Sequence, residues 1–333
     1  MRLSRWLILG CLGIFFAGCA EKTEDPQGEK RLRIGLMPKL VGIDYFNACE
    51  KGAKEAAAEL AVDLTYNGPV TNDVTKQTQM LETWIAKGYD VIAVAPNDPD
   101  AIVPALKAAR QKGIKVLTWD ADSGKEGRDF FVNQAQYQDI AKTLMDVMAE
   151  AIGENGKYII LTGSLTAANQ NIWMERMEEY RQGRYPKMVN LSPVPKATEE
   201  DEALAIQVTI DVLKSYPDVQ GLCAITSVAL PGAAEALRKE KAADRVFLTG
   251  LSTPNSMRAF IKDGTVKKFV LWDPVALGYL TVHAAKLLAE GKLSPNTTRI
   301  QAGRLGTIEI RGDEVLLGPP LVFDKNNIDQ FDF

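Results

Sequence analysis

The chain has 333 residues, 46% of them hydrophobic and 25% charged, which suits two soluble globular domains better than one small core. Its formal net charge of -4 excludes a phosphate-tracking surface, because nucleic-acid binding needs a basic excess.

At the start, Arg2 and Arg5 precede an apolar run from Trp6 to Ala17. That run is too short to span a bilayer as a mature helix and has the layout of a secretory signal. It ends in Phe16-Ala17-Gly18-Cys19, which resembles the cleavage box of a bacterial lipoprotein, with Phe16 in place of the commoner Leu. The resemblance implies a lipoprotein signal peptide over 1–19 and lipidation of Cys19. Residues 20–30, with the stretch EKTEDPQGEK, are charged and carry Pro26 and Gly28, and they read as a solvated tether. The expected location is the periplasm or cell envelope, lipid-anchored to a membrane. Cys49 and Cys223, the cysteines beyond the signal, read as small buried apolar residues, with no support for a disulfide.

From Arg31 onward, short runs rich in Val, Ile and Leu alternate with helical stretches. The predicted strands are 32–38, 62–67, 91–96, 115–120, 158–164, 188–194, 221–227, 245–252 and 268–273. Between them, NACEKGAKEAAAEL, TKQTQMLETWIAKG, AIVPALKAARQKG and ALAIQVTIDVLKSY repeat apolar residues at three and four, the period of an amphipathic helix. Gly88, Gly113 and Gly264 stand where helices are expected to end. Continuous apolar strands, each followed by a helix, define an α/β fold with parallel sheets covered on both faces. So many βα units favour two doubly wound lobes, whose ligand crevice lies outside the carboxyl ends of the strands.

The residues just after each strand are therefore the candidate site. They include Lys39, Asn97, Asp98, Trp119, Asp120, Asp122, Ser164, Asn169, Gln170, Ser227, Ser252, Trp272 and Asp273, with Tyr45 and Phe46 able to add an apolar wall. Carboxylates, amides and hydroxyls pair with hydroxyl groups, and aromatic faces cover the CH surface of a ring, so the set suits a small polyhydroxylated molecule. Asp98, in PNDPDA, reads as a turn and cap. The sequence has no G-x-G-x-x-G at the first turn, no P-loop and no Cys/His metal spacing, so neither a cofactor nor a metal is expected. Its only histidine, His283, lies inside an amphipathic helix, leaving Ser164 and Ser227 without a general base. An enzyme is thus disfavoured.

The stretches RIGLMPKLVGIDYFNACEKGAKEA, LTWDADSGKEGRDFFVNQ, LPGAAEAL, GLSTPNSMRAFIKDGTVKKFVLWD and VFDKNNIDQFDF carry a resemblance. They resemble the type I periplasmic substrate-binding proteins of sugar ABC importers, in the branch that binds autoinducer-2 and rhamnose. The resemblance implies two α/β lobes joined by three hinge crossings, near Val132–Ala135, Trp272–Pro274 and Gly303–Gly306. The first lobe would hold 31–133 plus 274–303, and the second 134–273 plus 304–333.

In the autoinducer-2 branch a lysine after the first strand contacts ligand and matches Lys39, and an aspartate matches Asp120. An Asp-Gln pair falls on Asn169 and Gln170, and a Pro and an Ala fall on Ile225 and Ser227. Asn169, Ile225 and Ser227 depart from that pattern, which moves the expectation away from autoinducer-2 and toward a deoxyhexose such as rhamnose. With Phe46 added from the start of the first helix, and Trp119 and Asp273 from the strand ends, these form the expected ligand-binding set. The implied partners are a sugar and an ABC permease, with membrane contact through the N-terminal lipid, no nucleic acid and a monomeric state. The alternative is a sensor of a sugar or autoinducer-2 for a signalling receptor.

Overall fold

The computed structural model describes residues 31–333, so the signal, the tether and Cys19 lie outside the described residues. The first lobe begins with β1 (Arg33–Met37), α1 (Asp44–Glu59), β2 (Asp63–Tyr66), α2 (Val74–Ala86), β3 (Val91–Val94), α3 (Val103–Gln111), β4 (Lys115–Trp119) and β5 (Phe130–Asn133). The chain then enters the second lobe with α4 (Tyr137–Ile152), β6 (Lys157–Thr162), α5 (Ala168–Arg184), β7 (Val189–Asn190) and β8 (Lys196–Ala197). That lobe continues through α6 (Glu202–Ser215), β9 (Gly221–Ala224), α7 (Ala229–Lys239), β10 (Phe247–Gly250), α8 (Pro254–Lys262) and β11 (Lys268–Leu271). The remainder is α9 (Pro274–Ala289), β12 (Arg299–Gln301), β13 (Thr307–Arg311), β14 (Glu314–Leu316) and β15 (Leu321–Asp324).

Two main sheets result. The first runs β12-β13-β14-β5-β4-β3-β1-β2, and the second β10-β9-β6-β7 with β8 also on β6. From β2 to β5 and throughout the second sheet the pairs are parallel, as the continuous apolar strands require. β1, β3 and β4 are buried almost throughout, covered by helices on their faces.

After β11 the chain returns to the first lobe as α9, which lies against α1. The two helices touch through glycines. A Cβ on Gly52 would sit 1.8 Å from the Val275 carbonyl oxygen, and one on Gly278 1.9 Å from that of Cys49. Only glycine permits so close an approach, which sets how the middle of α1 lies on the first turns of α9. Cys49 and Cys223 are both buried free thiols.

Two expectations need correction. The strand expected over 188–194 shrinks to Val189–Asn190, and pairing resumes only at Lys196–Ala197. Pro193 and Pro195 lie between and have no N–H to give a ladder. The third crossing does not fall at Gly303–Gly306, and 304–316 belong to the first lobe rather than the second, which takes only the segment from β15 onward. β13 and β14 complete the first sheet, with β14 parallel to β5, and only β15 reaches across to pair antiparallel with β11. The crossing therefore falls in 317–320, Leu-Gly-Pro-Pro, where consecutive prolines end the ladder. The other two crossings occupy 134–136 and Trp272–Asp273. Among the described residues, no helix is long and apolar enough to cross a membrane.

Candidate functional site

The carboxyl ends of β1, β4, β6, β9 and β11 open onto one cavity between the lobes, with an empty volume of about 460 Å3 counted to its mouth. From the first lobe it is lined by Lys39, Leu40, Ile43, Tyr45, Phe46 and Asp120. Asn169, Gln170, Trp173, Glu200, Ile225, Thr226, Ser227, Leu251 and Leu271 line it from the second, and Trp272 from the crossing.

Lys39 stands on the loop after β1, which a buried amide pair holds in place. Gln77 donates to the carbonyls of Pro38 (3.2 Å) and Ala95 (2.8 Å) and accepts from Asn97 N–H, and Asn97 donates to the Lys39 carbonyl at 2.9 Å. The Lys39 ammonium donates across the cleft to Asn169 Oδ1 at 2.8 Å. Burial pulls its pKa down, while Asp120 and Glu200 oppose that shift.

Asp120 follows β4 with φ at +63°, the left-handed region that few residues other than glycine and asparagine adopt. Neighbouring bonds hold it there. Asp120 N–H donates to the Val132 carbonyl at 3.2 Å, and the next carboxylate, Asp122, accepts from Thr118 Oγ1 and from Arg128 Nε (2.7 Å) and Nη2 (2.6 Å). Asp122 thus holds the turn, gripped by the buried Arg128 guanidinium, which also donates to Asp313. The Asp120 side chain accepts from Tyr45 Oη at 2.7 Å, and Tyr45 Oη in turn accepts from Trp272 Nε1 at 2.8 Å. Burial pushes the Asp120 carboxyl above the usual aspartate range, with Lys39 and Tyr45 pulling the other way.

In the second lobe Asn169, Gln170 and Trp173 occupy the first turns of α5 on one face, spaced as helix neighbours should be. Gln170 Oε1 accepts from Thr162 Oγ1 (2.6 Å) and Gly163 N–H (2.8 Å), which points its amide nitrogen at Glu200 Oε1, 3.1 Å away. Glu200 Oε2 accepts from Thr226 Oγ1 at 2.5 Å. The rings form a continuous wall: Trp173 to Trp272 at 5.7 Å, Trp272 to Tyr45 at 6.1 Å and Tyr45 to Phe46 at 5.1 Å between centroids.

The structure therefore brings Lys39, Phe46, Asp120, Asn169, Gln170, Ile225 and Ser227 together around this cavity. It gives Trp119 and Asp273 other work. Trp119 is fully buried behind Phe46 and donates its indole N–H to the Met37 carbonyl at 3.1 Å, so it is core. Asp273 Oδ1 accepts from Ala276 N–H at 2.9 Å and caps α9. Asp98 accepts from the amides of Asp100 and Ala101, as expected of a turn. Ser252 hydrogen-bonds the Ser227 carbonyl, Ser164 faces Thr166, and His283 packs on Tyr279, all outside the cavity lining. Glu200, Trp173 and Thr226 were missed. The spacing of Trp173 from Asn169, one helical turn, was the available signal for it. Glu200 follows a strand too short to leave a periodic trace.

Two α/β lobes that meet over a small cavity, with polar groups converging from both sides, are the build of a protein that closes on a solute. The chain belongs to the periplasmic binding protein family, whose domain pattern matches residues 34–293. It is 24% identical over 273 residues to the ribose import binding protein RbsB of Bacillus subtilis, covering 81% of this chain and 86% of that protein. Among solved structures, a sugar ABC transporter protein from Actinomyces odontolyticus is 34% identical, with a TM-score of 0.74 over 90% of this chain and 97% of that one. LsrB of Clostridium saccharobutylicum in complex with AI-2 is 26% identical, with a TM-score of 0.85 over 90% of this chain and 99% of that one. A solute-binding protein from Clostridium phytofermentas with bound L-rhamnose is 28% identical, with a TM-score of 0.84 over 90% and 98%. The Bacillus subtilis and Clostridium phytofermentas proteins are by name binding components of transport systems, and none of these relatives is named as an enzyme.

Proposed function

We propose that the chain captures a monosaccharide of the rhamnose-like deoxyhexose class between its lobes and hands it to an ABC permease, acting as a monomer tethered to the membrane through lipidated Cys19. The observation that carries the reading is the cavity itself, where Lys39 and Asp120 of one lobe meet Asn169, Gln170 and Glu200 of the other beside a wall of Tyr45, Phe46, Trp173 and Trp272. The amides and carboxylates match ring hydroxyls, and the rings and aliphatic side chains match a CH face and a methyl group. Closure gains the contacts that only the shut form makes, such as Lys39 to Asn169. The likeness to the L-rhamnose-bound protein supports the class.

The test is a thermal-shift and calorimetric screen against L-rhamnose, D-ribose, D-apiose, D-arabinose and autoinducer-2. L-Rhamnose giving the largest stabilisation supports the reading; a sole response to D-ribose would sink the deoxyhexose assignment. Autoinducer-2 sensing or uptake is the second reading, favoured by Lys39, Asp120 and Gln170 standing at that branch's contact positions and by the likeness to LsrB. For the anchor, Cys19→Ala should move the protein from the membrane fraction to the soluble one, and unchanged fractionation rejects it.

A further inference from the structure

Glu200 enters the cavity by an unusual route. It and its neighbour Glu199 both take left-handed backbone, φ 55° and 51°, one residue beyond the end of β8. Two consecutive non-glycine residues in that region are costly and persist only when their surroundings hold them. Here Thr198 and Glu199 N–H both donate to the Gly163 carbonyl. The side chain then lies over Gly163 itself: a Cβ at that position would stand 2.0 Å from Glu200 Oε1. The absence of a side chain at 163 makes the space that the carboxylate fills. Its oxygens accept from Gln170 Nε2 and Thr226 Oγ1, both neutral donors, which fix its direction without neutralising it.

The electrostatics of the cavity follow. Asp120 on one lobe and Glu200 on the other share a single lysine, Lys39, so the lining carries two carboxylates against one ammonium. A carboxylate already oriented by two donors has remaining lone pairs for ligand O–H or N–H groups. Nearby, Trp173 is 3% exposed, lines the cavity and has no partner for its indole N–H, leaving a donor for a ligand hydroxyl.

We propose that Glu200 is a ligand-binding carboxylate, the second lobe's counterpart of Asp120, and that this charge balance selects neutral or amino monosaccharides and rejects sugar acids and sugar phosphates. The inference rests on the sugar-capture reading and deepens it. An anionic sugar would meet two carboxylates in a closed, poorly solvated cavity, where like charges repel strongly.

The test is calorimetric titration of the full chain with L-rhamnose, D-ribose, D-glucosamine, D-galacturonate and D-ribose 5-phosphate, repeated on Glu200→Gln, Asp120→Asn and Gly163→Ala. Glu200→Gln should weaken binding of the preferred sugar about tenfold or more, as expected when one charge-assisted bond is lost, with the ligand-free melting temperature nearly unchanged. Gly163→Ala displaces the carboxylate without removing its charge, so it should weaken binding similarly and add little in the double variant. Wild-type binding of galacturonate or the phosphate as tightly as any neutral sugar overturns the inference, as does full affinity in Glu200→Gln. If Asp120→Asn loses binding and Glu200→Gln does not, the sugar-capture reading stands and only this inference falls. If wild type binds no member of the panel, both fall.

Discussion

At the end of β4 the indole of a Trp-Asp pair goes into the core and the carboxylate lines the cavity; at the end of β11 the assignment is reversed. Trp119 is buried behind Phe46, and Asp120 turns toward the cavity on a left-handed backbone. Trp272 lines the cavity and bonds Tyr45, while Asp273, with ordinary extended backbone at φ -84°, turns back to cap α9. Along a strand, side chains alternate faces, so a dipeptide cannot present both groups to the same side. The backbone conformation of the aspartate decides which one is offered. An identical pair of letters therefore encodes a cavity-lining carboxylate once and a helix cap once.

This contrast can be broken residue by residue. Trp119→Ala should cost about 3–5 kcal/mol of stability, the usual loss for emptying a large aromatic core site, and denaturant unfolding measures it. A small loss would place the indole outside the core. Asp120→Asn should weaken sugar binding about a hundredfold while the ligand-free protein keeps or slightly raises its melting temperature, since asparagine tolerates the left-handed backbone. The sign comes from linkage. The folded Asp120 pKa lies above its unfolded value, so the folded state holds its proton longer, and the charged form is a burden lost below that pKa and present above it. Binding should correspondingly fade as pH drops through a value above the ordinary aspartate range. It should fade again at alkaline pH, earlier than an ordinary lysine would dictate, because Lys39 is pulled down by burial. A flat profile measured by calorimetry from acid to alkaline pH contradicts both roles. Asp273→Ala should cost only about 1 kcal/mol, the worth of an N-cap, and leave affinity unchanged; a large loss of affinity would restore it to the ligand set.

Much of this architecture was legible in the chain. Apolar runs such as RIGLM, VIAV and KFVL located strands to within a residue or two, and Gly88, Gly113 and Gly264 do take positive φ where helices end. The rule that ligands lie beyond strand ends brought Lys39, Asp120 and Ser227 into view. What escaped was non-local or too short to be periodic. TIEIR in β13 alternates buried and exposed residues, the mark of an antiparallel strand with one solvated face, but which lobe it joins depends on β14 pairing with β5, far away in sequence. Glu200 lies after a strand of two residues, and its place in the cavity comes from a left-handed turn and from Gly163, neither of which has a signature in the letters alone.

The central claim is that polar groups of both lobes grip one sugar in the cavity between them. Calorimetric titration of L-rhamnose into wild type and Asp120→Asn, at matched ligand-free melting temperatures, tests it most directly. The account predicts one saturable site per chain in wild type and at least a hundredfold weaker binding in the variant. Equal affinity in the two proteins would contradict it.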